Sequence, residues 1–411
     1  MQILITLRNT NHLLAIDSLI RNGCQVDIIL IEDNYKFYEF EKLVGKYSNV
    51  YITKSLDILF ELCNKKKYDY IFPSFSDWGS TTTIASVNEK FNISGIRPVT
   101  YNQISSKNDY YKIWDDLEIP YPKLYAVVPA FQNLERIPEN VEFPCILKPS
   151  VGSSSVGIQI VEDEKSLINF FADSDTQSHD YQEQYNNKFK NIQYLCSGHS
   201  YLIQKFIKGD IVSFIGHVYN NNITVDLIFD IESTAFPFVS ETALSWPSKF
   251  NEADLLKSSI KYLEKFFQKI NFENGAFMLD VIIDEYGFIY FIDFSPRLSV
   301  SHPLMWHGGE KDYGYKLIKK LVTGENFNCE IKKKCVIFRA LSFENKEIAE
   351  IVVGRKDLSD SFKLPESKIH QLRNDLAVYN NGYAIFTGNS KFEAEKKHNM
   401  FIENLQISYK N

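Results

Sequence analysis

Residues 275–302 read GAFMLDVIIDEYGFIYFIDFSPRLSVSH, and they organise the rest of the chain. Two apolar strands flank Asp284-Glu285-Tyr286-Gly287, a turn in which Gly287 can supply a positive φ. Side chains alternate between the faces of a strand. Asp280, Ile282 and Asp284 therefore share a face on the first strand, and Ile289, Phe291, Asp293 and Ser295 share one on the second. With Asp284 opposite Gly287, Asp280 faces Phe291 and Asp293 is its diagonal neighbour, roughly 7–8 Å away at Cα. Two such carboxylates ask for a cation between them, because like charges buried without a counter-charge are costly. Oxygen ligands select a hard cation. Pro296-Arg297 ends the strand and sets a guanidinium beside the pair. One buried and one edge aspartate, with no metal, is the alternative.

At 411 residues the chain has room for two or three domains. It is 44% hydrophobic and 24% charged, which suits a packed core, and its net charge is −7. Lys65-Lys66-Lys67 and Lys332-Lys333-Lys334 are short runs with no basic stripe around them. The composition therefore speaks against nucleic acid as a partner. Six cysteines form no C-x-x-C pair, which argues for reduced thiols in a cytoplasmic protein and against a disulfide framework or a zinc site. No signal peptide is visible, and no apolar run is long enough for a membrane span.

The first hundred residues alternate strand and helix: Gln2–Leu7, Asn11–Arg21, Val26–Ile31, Leu56–Asn64 and Tyr70–Pro73. That order implies a small parallel sheet. No G-x-G-x-x-G follows the first strand, so a dinucleotide is not expected there. Asp77, beyond the last of these strands, sits where such sheets bind ligands or cap a helix. Ser106–Leu117 is helical and ends at Ile119-Pro120-Tyr121-Pro122. From Phe143 the texture becomes strand, loop, strand, in FPCILKPSVGSSSVGIQIV. The loop holds Gly152, Ser153, Ser154, Ser155 and Gly157, whose backbone N–H groups and hydroxyls can wrap phosphate oxygens. Lys148 closes the preceding strand and can reach the same oxygens. Ile158-Gln159 follow Gly157, so this is not a Walker-type loop; a flexible connector is the plainer alternative. Tyr201–Ile207 is a buried strand. Ile211–Tyr219 and Ile223–Ile231 form a hairpin, Leu255–Ile270 and Tyr313–Thr323 are helices, and Lys391–Leu405 is a final charged helix. Phe236–Phe250 and Ser299–Gly309 read as substrate-side loops. Glu232 and Glu241 flank a Pro-rich loop, with an ordinary surface role at least as plausible as one at the acceptor site.

Taken together, these residues resemble the ATP-grasp family, in the layout of its biotin-carboxylase-like and amino-acid-ligase branches, over almost the whole chain. Lys107, ahead of LEIPYP, is similar to the family's first nucleotide-binding lysine. Lys148 with Gly152–Gly157 resembles its second lysine and phosphate-covering loop. Gln204-Lys205-Phe206-Ile207 resembles the strand that reads the adenine edge, and Asp210 the ribose-binding acid. Asp280 and Asp293 resemble its magnesium ligands, and Phe294-Ser295-Pro296-Arg297 its N-P-R segment. Arg339 in CVIFRALS occupies the place of an arginine that often faces the active site. Two departures stand out. Asp replaces Glu at the metal positions, and Ser295 replaces the usual Asn as the third ligand, which leaves a catalytically impaired relative as an alternative.

The resemblance implies an α/β protein, α+β in its ATP-grasp part. A Rossmann-like domain would cover 1–100 and an ATP-grasp domain with two antiparallel-sheet subdomains 101–330, its lid near 145–207. A small carboxylase-like α+β domain would cover 331–411. It implies ATP and magnesium or manganese as cofactors, small-molecule carboxylate and amine substrates, and a homodimer. The implied reaction is ADP-forming amide or peptide bond formation through an acyl phosphate, with Arg297, Lys148 and Arg339 as catalytic groups. A carboxylase or nucleotide-precursor enzyme is one alternative, and a non-catalytic ATP-binding regulatory module is another.

Overall fold

The computed structural model describes residues 1–7, 13–31, 49–53, 55–73, 78–129, 136–151, 157–172, 200–234, 241–297, 302–332, 334–341, 348–363 and 382–409. Asp77, Gly152, Ser153, Ser154 and Ser155 lie outside them.

The chain opens with β1 (Gln2–Leu7), α1 (Leu13–Arg21), β2 (Gln25–Ile31), β3 (Asn49–Thr53), α2 (Ile58–Lys65) and β4 (Tyr70–Pro73). These strands make the expected parallel sheet, ordered β3-β2-β1-β4. Helices α3 (Trp78–Lys90), α4 (Pro98–Tyr101) and α5 (Lys107–Asp116) follow. A small antiparallel sheet then uses β5 (Leu124–Pro129), β6 (Cys145–Pro149) and β7 (Gln159–Val161), with α6 (Glu164–Ala172) and β8 (Ser200–Lys205), in the order β5-β8-β6-β7.

Next come β9 (Gly209–Tyr219), β10 (Asn222–Ser233), β11 (Glu241–Trp246), α7 (Glu252–Lys269), β12 (Asn274–Asp284), β13 (Ile289–Ser295), α8 (His302–Gly308) and α9 (Tyr313–Thr323). The last elements are β14 (Cys335–Ala340), β15 (Ile348–Val353), β16 (Ser361–Lys363), β17 (Tyr383–Gly388), α10 (Lys391–Glu403) and β18 (Leu405–Tyr409). An eight-stranded sheet runs β13-β12-β9-β10-β11-β14-β17-β16, so strands from the final eighty residues continue the central sheet. The two stretches read as loops are partly regular, since β11 lies inside 236–250 and α8 inside 299–309.

Two cores hold the central sheet. On one face, Ile215, Leu227, Phe229, Leu244 and Phe338 pack with α1, α8, α9 and one side of the parallel sheet. On the other, Phe214, Leu279, Val281 and Phe291 pack with α5 and α7. Trp114 of α5 meets Phe291 edge-on at 5.7 Å and Phe266 of α7 at 5.8 Å, which locks α5 against the edge of the sheet. Among the described residues, Cys24, Cys63, Cys145, Cys329 and Cys335 are free thiols. No described helix is long and apolar enough to cross a membrane.

The hairpin of β12 and β13 departs from the register read from the sequence. Asp284 pairs with Phe288, not Gly287. Its carboxylate accepts from the N–H groups of Tyr286 and Phe288 at 3.0 and 2.9 Å, which closes a loop of Glu285, Tyr286 and Gly287. Gly287 takes φ +85°, a left-handed conformation that glycine adopts without a Cβ clash. A bulge then leaves Ile292 unpaired, between Val281↔Phe291 and Asp280↔Asp293. Asp280 therefore faces Asp293 directly. Phe291 is turned into the α5–α7 core, so Phe291 and Asp293 do not share a face.

Candidate active site

The edge strand β13, helix α5 and strand β6 meet where the two antiparallel sheets touch. Ser106 caps α5, its hydroxyl accepting from the Asp109 N–H at 3.2 Å. The Lys107 N–H is satisfied by the Ser150 carbonyl at 2.7 Å, which fixes the start of α5 to the end of β6. Lys107 and Lys148 are thereby held at the same edge.

Lys107 Nζ donates to Asp293 Oδ1 at 2.8 Å, and Tyr110 donates to the same oxygen at 2.5 Å. The Phe294 N–H adds a third bond at 3.0 Å. Burial alone would raise the Asp293 carboxyl. The charges of Lys107 and Lys148 and these hydrogen bonds outweigh it and hold the group below the usual carboxylate range. The bulge at Ile292 presents its carbonyl to the site, where it accepts from Tyr111 Oη at 2.6 Å and from Lys148 Nζ at 3.1 Å. Lys148 also donates to the Tyr111 hydroxyl and lies 4.9 Å from the centre of that ring. Burial, and then the charge of Lys107, bring the Lys148 ammonium down to about 7.

Asp280 is buried, and its Oδ1 has no hydrogen-bond partner among the described residues. Burial, and then the charge of Asp293, push its carboxyl up to about 8. An orphaned buried carboxylate oxygen beside an ionised carboxylate fits a hard cation. Among the described residues no group of three or more His, Cys, Asp and Glu side chains could hold a metal. The protein thus offers a cation the Asp280–Asp293 pair. Phosphate oxygens and water would complete the shell, as is usual for magnesium. Ser295, two residues from Asp293 and opposite Met278, points to the same face.

A pH dependence follows from Asp280. Its carboxyl keeps a proton up to about 8, and a bound cation must displace that proton. Magnesium affinity, measured with ADP present, is expected to rise with pH by up to about tenfold per unit below that value and to level off above it. A flat affinity from pH 6 to 8 would exclude Asp280 as a ligand. In the free protein the sign is opposite. The folded state keeps the proton through the window from about 4 to 8, so the contribution of Asp280 to stability is complete below pH 4 and lost as pH climbs to 8.

Gln204 is buried on β8, and its amide donates to the Pro122 carbonyl at 3.2 Å. Lys205 pairs with Glu142 at 2.8 Å, both largely exposed, and Phe206 and Ile207 are half-buried beyond the strand. Asp210 is exposed and pairs with Lys249 at 2.7 Å. Gly157 is buried with φ +75°. Arg297 lies among the charges of Asp293, Asp280 and Glu241, and burial lowers its guanidinium from the ordinary value.

Arg339 is not brought to this group. It lies opposite Ala243, next to Phe338, and so points away from the face that carries Phe338, Leu244 and Asp280. There it pairs with Glu232 at 2.9 Å, and His398 of α10 feels the charge of both. Two site residues, Tyr110 and Tyr111, lay outside the expectation, and a third, Glu241, had been weighed for the acceptor site against an ordinary surface role. Tyr110 and Tyr111 follow Lys107 at i+3 and i+4 on a helix, a spacing that could have placed them beside it. Glu241 joins through a second bulge, at Thr242, which pairs Ser233 with Glu241 and Glu232 with Ala243.

Residues 141–301 match the family model for an ATP-grasp domain. No curated protein matches the chain by sequence. Solved structures share the whole fold at low identity. An L-amino acid ligase from Bacillus licheniformis superposes with a TM-score of 0.78 at 15% identity, covering 100% of this chain and 99% of that one. The phosphoribosylglycinamide synthetase of Anaerococcus prevotii gives 0.67 at 15% identity, covering 100% and 99%. The biotin carboxylase domain of Hydrogenobacter thermophilus 2-oxoglutarate carboxylase, in complex with MgADP and bicarbonate, gives 0.68 at 16% identity, covering 99% and 90%. The domain match lies over β6, β8, β12 and β13, the strands that carry Lys148, Gln204, Asp280 and Asp293, so residues 141–301 of the chain are an ATP-grasp domain.

Proposed function

We propose that the protein joins a carboxylate to an amine, activating the carboxylate with ATP as an acyl phosphate and releasing ADP and phosphate. Amino acids or small peptides are the substrates. The observation that carries this reading is the convergence of Lys107, Lys148, Asp280, Asp293 and Arg297 on one edge of the central sheet. The choice of amino acids draws on the likeness to the amino acid ligase.

Phosphoryl transfer is mainly a matter of positioning and charge stabilisation. Lys107 and Lys148 hold the phosphates, and the glycine- and serine-rich sequence including Ser153, Ser154, Ser155 and Gly157 supplies N–H and hydroxyl donors to them. Gln204, Lys205, Phe206 and Ile207 line the base, and Asp210 takes the ribose. Its exposed pairing with Lys249 is worth no more than about 1 kcal/mol and opens easily. Magnesium or manganese, when bound by Asp280 and Asp293 with Ser295 near, neutralises charge on the phosphate oxygens. Arg297 offers a planar pair of donors to the substrate carboxylate, and then to the oxyanion formed when the amine attacks.

Pairs of amino acids scored by ADP release and product mass test the reading, with hydroxylamine as a trap for the acyl phosphate. Hydroxamate that depends on both ATP and an amino acid is expected. ADP release that depends on bicarbonate and ignores amino acids would replace the ligase with a carboxylase. Within the same assay, Arg297→Ala is expected to raise KM for the carboxylate by about tenfold or more, as loss of a charged hydrogen bond does, with KM for ATP little changed. A reversed pattern would move Arg297 to the nucleotide.

A further inference from the structure

Glu241 brings to the site a charge that binding a nucleotide does not call for. The bulge at Thr242 turns it from the face of Ala243 and Glu232 to the face of Asp280 and Asp293. There its carboxylate interacts with Arg297 favourably and with Asp293 and Asp280 unfavourably. It is not part of a metal-holding group, since among the described residues no three acidic, histidine or cysteine side chains form one. Triphosphate and a simple carboxylate are both anions, and a half-buried carboxylate beside Arg297 opposes their entry. A substrate that carries its own cation next to its carboxylate reverses that effect. An α-amino acid is such a substrate, with ammonium and carboxylate on one carbon, and Glu241 with Arg297 presents the complementary pair of charges.

We propose that Glu241 binds the ammonium group of the amino acid whose carboxylate is activated, while Arg297 binds that carboxylate, so that the protein selects zwitterions over simple carboxylic acids. This rests on the ligase reading and assigns one determinant of its specificity. Glu241 acts by charge: it attracts the zwitterion and repels its des-amino analogue.

The test compares the best amino acid of the panel with its des-amino analogue, such as alanine with propionate. Hydroxylamine serves as acceptor, so that activation alone is read. The parent protein is expected to favour the amino acid by roughly tenfold or more in kcat/KM. Glu241→Gln keeps the size of the side chain and is expected to remove most of that preference. KM for the amino acid rises, the analogue holds or improves, and KM for ATP stays put. Two results overturn the inference while leaving the ligase reading intact. In one, the parent uses both acids equally well, which needs no variant at all. In the other, Glu241→Gln shifts magnesium half-saturation or slows both acids alike, with their ratio unchanged. A parent that forms no hydroxamate with any carboxylate overturns the ligase reading itself, and this inference with it.

Discussion

Lys148→Met is expected to lower ATP-dependent ADP release by roughly 10–150-fold for each hydrogen bond to phosphate that it removes, while leaving the nucleotide-free protein at least as stable as its parent. A charged hydrogen bond is worth about 1.5–3 kcal/mol, and each 1.36 kcal/mol is a factor of ten in rate. The stability half follows from burial. Lys148 is 6% exposed, and burial with Lys107 nearby brings its ammonium down to about 7. Folded protein therefore binds fewer protons than unfolded chain between about pH 7 and 10.5, and stability rises with pH across that window. Below it, the charged form carries the full desolvation penalty. Methionine has no charge and fills similar space, and the Ile292 carbonyl keeps the Tyr111 hydroxyl as a donor. Urea unfolding at pH 6 and pH 9 checks this. Lys148→Met should be the more stable protein at pH 6, by a margin that narrows at pH 9. Loss of stability at both values would make Lys148 a structural residue.

Asp293→Ala is expected to do the opposite to the fold and the same to activity. Lys107 is 5% exposed and would be left buried without its counter-charge, a change that costs about 3–5 kcal/mol. Asp293→Asn separates the two roles. Its amide oxygen still accepts from Tyr110 and Lys107, so most of the stability should remain. The charge that draws a cation is gone, and ADP release should fall by about a hundredfold or more, with half-saturation moved to higher magnesium. Melting curves and a magnesium titration on both variants decide this. An Asp293→Asn protein with the parent's magnesium curve would remove Asp293 from the metal site.

The strands themselves were legible because period-two alternation and turn residues mark them locally. The parallel sheet, α5 and the hairpin around Asp280 and Asp293 stand close to where the pattern put them. What alternation could not show was the two bulges that shape the site. An inserted residue leaves no mark on composition, yet Ile292 moves Asp293 from a diagonal to a direct partner of Asp280, and Thr242 brings Glu241 in from an apparent loop. Arg339 illustrates the same limit from the other side. A motif places it on a strand of the right sheet, but only register tells which face it occupies, and register gives it to Glu232. Tyr110 and Tyr111 were readable in principle, since a helix starting at Lys107 must stack them beneath it.

All of this depends on a divalent cation and a nucleotide sharing the Lys107–Lys148–Asp280–Asp293 edge. Titration calorimetry with ADP, with and without magnesium, is the most direct test. Binding that weakens by about tenfold or more when the metal is chelated is the expected result. No heat in either condition, or the same affinity in both, would contradict it.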